Sequence, residues 1–204
     1  VNVAAGASVA HDVVLTLSLS ADVVVTGART FRNVADADAP AESLVGIAAT
    51  ASQGAITAAQ LEARPAMRPG EVLETVPGMI ISQHSGEGKA NQYYLRGFNL
   101  DHGTDFSTTV AGVPVNTPTG AHAHGYSDIS FLIPELVSGV QFKKGPYFAD
   151  EGDFSAAGAA NINYVNHLER LLASVSEGAH RWGRVFGAAS PRVGRGYVLG
   201  AIEL

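Results

Sequence analysis

The stretch LVSGVQFKKGPYFADEGDFSAAGAANINY, residues 136–164, decides the fold. Pro134 can start a short turn just before it, and residues 137–143 then predict a β-strand that ends at Gly145-Pro146. A second strand is predicted at residues 160–165. The segment between them is rich in glycine and lacks the order of strand, loop, lysine and helix, so it is a flexible return and not a phosphate-binding loop.

Toward the N-terminus, the chain continues as a mixture of short helices and strands. Thr57 and Gln60 form a capping box ahead of a short helix, and Pro69 can occupy the first turn of a second helix. Val72, Leu73 and Val76 fall on one face of that second helix. Strands are predicted at residues 79–83 and 92–96, and a hairpin at residues 107–110 and 113–115 around Ala111-Gly112. This order predicts a compact α+β domain, a small mixed sheet with short helices, over residues 47–166.

Beyond residue 166, the chain changes to runs of about ten residues, at 168–176, 182–190 and 197–204, separated by Gly, Pro and Arg. In the last run, Val198, Ile202 and Leu204 face one way with Gly200 between them. This period of two is typical of membrane-barrel strands, and a soluble sheet gives a similar pattern. Residues 167–204 are therefore predicted to be antiparallel strands of an incomplete transmembrane β-barrel.

Two segments precede the α+β domain. Residues 1–20 contain a run of alternating side chains that begins at Val13, and they are predicted to be the end of a β-sandwich-like domain whose other strands lie upstream. Residues 21–46 are predicted to be a linker that contains one β-branched run, Asp22, Val23, Val24, Val25 and Thr26. An extended apolar run beside a linker is a segment that a partner can add to the edge of its own sheet.

Composition excludes several classes of protein. The net charge is −6 and the 13 Lys and Arg residues are scattered, which argues against a nucleic-acid partner. The absence of cysteine excludes a disulfide framework and a thiolate metal site. The sequence has no window of about 18 uninterrupted apolar residues, so it predicts no transmembrane helix. The chain begins at Val1 without Met or a leader pattern, and we expect both of its ends to be cut.

Four segments in order carry a resemblance to a known family: RPGEVLETVPGMII at 68–81, YYLRGFN at 93–99, VAGVPVN at 110–116, and residues 136–164. Together they resemble the plug of TonB-dependent outer-membrane receptors. Residues 1–20 resemble the close of a carboxypeptidase-regulatory-like domain. Three departures from the family pattern are Ala111 for Asp, Lys144 for Arg and Ala159-Ala160 for a Gly pair.

The resemblance implies a function and a location. It implies a plug inside the lumen of a barrel of about 22 strands in the bacterial outer membrane, with a periplasmic N-terminus. Such a plug gates the energised uptake of a scarce nutrient, such as a ferric siderophore or another metal chelate; cobalamin and oligosaccharide remain open. The implied partners are the C-terminal domain of TonB, which residues 22–26 would contact, the substrate and outer-membrane lipid. No cofactor is implied.

The family also implies roles for a few plug residues. Arg96 and Gly97 correspond to an Arg-Gly strand motif, and Gly145 and Pro146 to the end of another strand. We expect Arg96 to be buried and paired with an acid of the barrel wall or with an internal partner, because an unpaired buried charge costs several kcal/mol. The candidate internal partners are Glu71, Glu74, Glu135 and Asp150.

The histidines are the sharpest local feature. His102 follows Asp101 in one loop, and His122 and His124 precede Tyr126 in TGAHAHGYSD, residues 119–128. If residues 122–124 are extended, both imidazoles point to one side, and Asp101 or His102 could complete a metal site. The alternative is a polar apical loop whose histidines contact water or the barrel wall. We therefore assign no resident metal ligand. The substrate-binding candidates are Asp101, His102, His122, His124 and Tyr126.

Two other classes of function compete with receptor gating. A metal-dependent hydrolase would also use an HxH pair, but the sequence lacks HExxH, GxSxG and a Walker loop, so we expect no enzyme. A truncated, soluble plug-like module that binds without transport is the second alternative, because three strands cannot close a barrel.

Overall fold

The computed structural model describes residues 47–50, 52–64, 66, 68–83 and 88–204. The predicted sandwich end, residues 1–20, the linker, residues 21–46, and the β-branched run within it, residues 22–26, lie outside the described residues. The described part contains one short α-helix, five 3-10 helices and fourteen strands.

The strands fall into two groups along the chain. Those of the first group are β1 Ile47–Thr50, β2 Gln53–Thr57, β3 Met79–Ser82, β4 Gln92–Leu95, β5 Phe98–Asn99, β6 Phe106–Val110, β7 Val113–Pro114, β8 Val137–Lys144 and β9 Gly158–Tyr164. Those of the second group are β10 Leu172–Glu177, β11 Gly183–Ala189, β12 Arg192–Val193, β13 Gly196–Tyr197 and β14 Gly200–Glu203. The helices are α1 Ala58–Ala63 and 3-10 helices at Pro69–Thr75, Asp101–Gly103, Pro134–Leu136, Ala149–Glu151 and Ala179–Arg181.

A six-stranded mixed sheet forms the centre of the first group, in the order β1-β2-β8-β9-β6-β7. Its pairs are antiparallel except β6 and β9, which are parallel. Four apolar side chains, Ile56, Val140, Ile162 and Val110, lie side by side across β2, β8, β9 and β6, and all four are buried. One face of the sheet therefore carries a continuous apolar row, and the predicted α+β class is confirmed.

The predicted helices pack beside this sheet. Thr57 Oγ1 accepts from the backbone of Gln60 and the Gln60 side chain accepts from the backbone of Thr57, so the capping box of α1 is present. The second helix is a 3-10 helix, and its predicted apolar face is fully buried. A second sheet, β3-β4-β5, carries Tyr93 and Leu95 into the same core.

Two tight hairpins join neighbouring strands in this region. Leu95 pairs with Phe98 across Arg96-Gly97, and Val110 pairs with Val113 across Ala111-Gly112. Both central residues of each turn have positive φ, 51° and 84° in the first and 50° and 80° in the second. That is the backbone of the type I′ turn, whose twist matches the twist of the strands that it joins.

Strands β10, β11 and β14 form a separate antiparallel sheet with two different faces. One face is exposed and apolar, with Val175 opposite Val185 and Ile202 opposite Gly187. The other face carries Phe186 and Ala188, which are buried against Leu136, Tyr164 and Val165 of the first group. Arg184 on that inner face binds Glu135 with both terminal nitrogens, at 2.5 and 2.9 Å, and Glu203 through Nε at 3.0 Å.

The C-terminal runs differ in detail from the prediction. The run 197–204 is interrupted between β13 and β14, where Val198 N donates to Pro191 O at 3.1 Å, and β12 and β13 form a small hairpin that was not predicted. The first run becomes a strand only at Leu172. Among the described residues no sheet closes, which fits the predicted incomplete barrel.

Candidate functional site

Two loops meet at one end of the first group of strands, and they carry the candidate residues. The first loop turns at residues 101–103, where Asp101, His102 and Gly103 have φ of 32°, 64° and 92°. Positive φ is uncommon for residues other than glycine, although Asp and His tolerate it better than most. Gly103 is favoured for two reasons: its φ is positive, and a Cβ there would lie 2.8 Å from the Ser127 Cβ.

A buried asparagine joins the first loop to the second. Asn116 Nδ2 donates to the carbonyls of Gly103, Phe106 and Gly125, at 3.1, 3.1 and 2.9 Å. Its Oδ1 accepts from the backbone of Thr108 at 2.6 Å. Because Gly103 and Gly125 lie in different loops, one side chain fixes the distance between them. Asn116 is the last residue of the VAGVPVN segment, and no sequence pattern marks it as the link between the two loops.

The second loop brings one of its two histidines to the first loop. A ligand atom from each of Asp101, His102 and His122 lies within 4.8 Å of those of the other two. The ring centroids of His102 and His122 are 4.7 Å apart, with planes inclined at 65°. His102 is 1% exposed, whereas Asp101 and His122 are exposed. The group is thus a half-open cluster with one buried imidazole at its base.

The backbone of Ala90 holds the inner wall of this cluster. His102 Nδ1 donates to Ala90 O at 2.6 Å, and Ala90 N donates to the Tyr126 hydroxyl at 2.6 Å. A carbonyl oxygen can only accept, so the contact requires the proton on Nδ1 and places the lone pair of His102 on Nε2. The Tyr126 ring lies 5.6 Å from that of His102 and 5.9 Å from that of His122.

Tyr93 connects to His102 through the backbone of Ser127. Its hydroxyl donates to Ser127 O at 3.2 Å, and Ser127 N donates to His102 O at 2.9 Å. Burial, together with the nearby charge of Asp128, raises the pKa of Tyr93, so the phenol stays protonated and donates. The second loop is thereby tied to His102 through backbone groups.

His124 does not join this cluster. Its Nδ1 lies 3.2 Å from Pro118 O and its side chain is exposed. Residues 121 and 122 lie in bends and His124 lies in a turn, so residues 122–124 do not form the extended segment that would point both imidazoles to one side. The structure brings together Asp101, His102, His122 and Tyr126 and leaves His124 outside.

An apolar pocket adjoins the cluster through Tyr126. Its volume is about 450 Å³, and it is lined by Val110, Val113, Pro114, Val115, Thr117, Tyr126, Asp128 and Phe131. The pocket lies along the β6–β7 hairpin, and Tyr126 belongs to both features. A polar cluster therefore borders an apolar surface.

Arg96 is not buried by the described residues, and its pairing with an acid of the barrel wall stays a prediction. It is exposed, and it lies in the turn after β4 rather than within the strand. Its Nη2 donates to Ser52 Oγ at 3.4 Å. The four acids proposed as internal partners pair with other cations: Glu71 with Arg68, Glu74 with Arg64, Glu135 with Arg184 and Asp150 with Lys143. The strand ends one residue earlier than predicted because Arg96-Gly97 forms the hairpin turn.

The buried cations are instead the two lysines at the end of β8. Lys143 binds Asp150 at 2.8 Å and Glu151 at 2.5 Å; burial opposes its charge, but the hydrogen bonds to the two carboxylates raise its pKa. Burial, and then the charge of Arg96, lower the pKa of Lys144, whose Nζ donates to Pro77 O at 3.2 Å.

The turn after these lysines depends on Gly145. Its N donates to Ala157 O at 2.7 Å, its φ is 94°, and a Cβ would lie 2.5 Å from the Tyr147 ring. Pro146 after it is exposed. Gly145 therefore shapes the turn at the end of β8, and the structural role of the Gly145-Pro146 pair stays a prediction.

Comparison with known proteins identifies the family. The profile of the family described as TonB-dependent Receptor Plug Domain matches residues 46–159, more than half of the chain. The chain therefore belongs to the plug family of TonB-dependent receptors, as the four segments predicted. Among the described residues, no helix is long and apolar enough to cross a membrane.

Solved structures with the same fold include three receptors or transporters. A mutant of the ferric enterobactin receptor PfeA from Pseudomonas aeruginosa, in complex with enterobactin, shares 19% identity with a TM-score of 0.54 over 76% of this chain and 25% of that chain. The siderophore receptor PirA from Pseudomonas aeruginosa shares 20% identity with a TM-score of 0.51, covering 76% and 29%. The copper transporter OprC shares 19% identity with a TM-score of 0.51, covering 67% and 20%. The chain thus spans about a quarter of the length of these proteins, and at this identity the likeness shows the fold alone.

Proposed function

We propose that this chain is the plug and gating part of a TonB-dependent receptor that takes up a scarce metal-containing nutrient across the bacterial outer membrane. The observation that carries the proposal is the plug-family match over residues 46–159, together with the plug architecture of the first group of strands. PfeA and PirA are named for siderophores and OprC for copper, and metal-containing substrates are common to these three names.

The second group of strands supports a membrane location. The outer face of β10, β11 and β14 exposes Val175, Val185 and Ile202, at 75%, 50% and 60%. The inner face packs on the first group and carries the Arg184–Glu135 pair. A lipid-facing apolar side and a polar inner side are the two faces of an outer-membrane barrel strand. We assign the outer face to lipid and the first group to the barrel lumen.

Energy transduction is assigned to residues 22–26. The run Asp22, Val23, Val24, Val25 and Thr26 is β-branched and precedes a linker, which suits a segment that pairs through its backbone with the edge of a partner sheet. The partner in this proposal is the C-terminal domain of TonB.

The test measures binding of the 204-residue chain to the purified TonB C-terminal domain by calorimetry. Val24→Pro removes a backbone donor and should abolish most of the binding, whereas Val24→Thr keeps the donor and the branched shape and should retain it. Equal affinity of the two variants would show that residues 22–26 are not a backbone-pairing segment. The far-ultraviolet circular dichroism of both variants serves as the control for folding.

A further inference from the structure

We propose that Asp101, His102 and His122 form a binding site for a divalent first-row transition-metal ion, which is the receptor's cargo and not a resident cofactor. The inference rests on the proposed function and deepens it by naming the class of substrate. The shared ligand chemistry is two imidazole nitrogens and one carboxylate oxygen, presented at the meeting point of two loops.

The spacing of the donors suits one ion after a small adjustment. Metal–ligand distances of about 2.0–2.2 Å place two donors of a tetrahedral site about 3.4 Å apart. The donors of the three residues lie within 4.8 Å of one another, so the widest gap has to close by about 1.4 Å, the difference between these two lengths. Asp101 and His122 are exposed, and rotation of their side chains supplies this movement without disturbing the core.

His102 is the fixed member of the site. It is buried at 1% exposure, and its Nδ1–H donates to Ala90 O. Ligating histidines almost always donate their second ring nitrogen to a carbonyl or carboxylate, which fixes the ring and directs the other nitrogen toward the metal. The structure therefore already contains the supporting hydrogen bond that a metal-binding imidazole requires.

The donor set selects the metal. Imidazole suits Zn, Cu, Ni and Co ions, whereas sites for Mg and Ca are built from oxygen ligands. Three protein donors leave at least one position of the ion open, as in zinc sites that exchange their fourth ligand. An ion held in this way can be captured with water or a small chelator still attached and can leave again, as transport requires. A ferric ion that a siderophore fully surrounds offers no position to these residues.

The experiment titrates CoCl2 and ZnCl2 into the 204-residue chain, with calorimetry for affinity and stoichiometry. The visible absorption of Co²⁺ reports whether imidazole has replaced water. We expect one ion per chain. The test variant is His122→Ala, and the matched control is His124→Ala, because both histidines are exposed in the same loop and only His122 lies in the cluster.

His122→Ala should weaken binding by at least tenfold, about the smallest loss typical of removing a group that merely orients a ligand, while His124→Ala changes it by less than about twofold. Asp101→Asn, at an exposed position, should also weaken binding. Equal losses in His122→Ala and His124→Ala, or affinity no tighter than about 1 mM for the unmodified chain, would overturn the assignment. The Val24 variants test residues far from this cluster, so failure of the metal site and failure of TonB pairing are separate results.

Discussion

Leu73→Ala tests whether the second helix belongs to the core of the plug. Leu73 is 0% exposed and lies in the main hydrophobic cluster together with Val72, Val76 and Tyr93. The substitution removes three carbons, which corresponds to about 2.4 kcal/mol of lost transfer free energy at about 0.8 kcal/mol for each. The cavity left behind adds to this loss, so the free energy of unfolding should fall by about 2 to 5 kcal/mol.

The assay is thermal unfolding of the 204-residue chain followed by circular dichroism. For a chain of this size, each kcal/mol shifts the melting temperature by about 2–4 °C, so Leu73→Ala should melt roughly 4 to 20 °C lower. Leu171→Ala is the matched control, since it deletes the same atoms from a side chain that is 72% exposed. If the two variants melt at the same temperature, Leu73 does not contribute to the core and the assignment of this helix is wrong.

Two further predictions concern a turn and a pH dependence. Ala111→Asn should stabilise the chain by about 0.5–1 kcal/mol in urea unfolding, because Asn tolerates positive φ, 50° here, better than Ala; an unchanged or lower stability would contradict the turn assignment. Burial opposes ionisation of Glu135, but hydrogen bonds from Arg184 outweigh it and lower its pKa. A lowered folded-state pKa gives stability that is present above the ordinary carboxyl value of about 4.3 and is lost as the pH falls through the lowered value. The free energy of unfolding of Glu135→Gln should therefore fall less than that of the unmodified chain between about pH 5 and pH 3. If urea titrations show the same fall for both proteins, Glu135 does not have this role.

Elements with local signals could be predicted from the sequence. The capping box at Thr57, the apolar face around Leu73 and the Ala111-Gly112 hairpin each depend on residues within a few positions of one another, and all three are present. The order of strands in the central sheet depends on contacts between distant segments, such as the parallel pair β6 and β9. No periodic pattern in one segment specifies its partner, so the sheet order could not be predicted in this way.

Arg96 shows how a local pattern misleads. Residues 92–96 predict a strand that includes Arg96, because the residues just before the arginine are aromatic or apolar. An X-Gly pair between two apolar runs is also a signal for a type I′ turn, and here the turn prevails, with both φ values positive. Arg96, predicted to be a buried strand residue, is therefore an exposed turn residue among the described residues.

The sequence indicated a cluster of histidines and an acid, but it did not indicate which histidines would belong to it. Residue types and loop positions indicated metal chemistry, but the i, i+2 spacing of His122 and His124 aligns side chains only in an extended strand. Contacts with backbone carbonyls decide that His122, and not His124, lies beside His102. Asn116 bonds the carbonyls of Gly103 and Gly125, and His102 bonds the carbonyl of Ala90. Backbone acceptors are present at every residue, so nothing in the letters marks these positions.

The same contacts divide the site into a fixed and an adjustable half. His102 is buried and bonded to Ala90, so its replacement changes the fold as well as the chemistry. Asp101 and His122 are exposed, and their replacement removes a donor while the loop contacts made by Asn116 remain. Ligand affinity and stability are therefore separable at the two exposed positions and coupled at the buried one. A variant series that ignores this division would mistake unfolding at His102 for loss of a ligand, whereas His122 with its neighbour His124 isolates the chemistry.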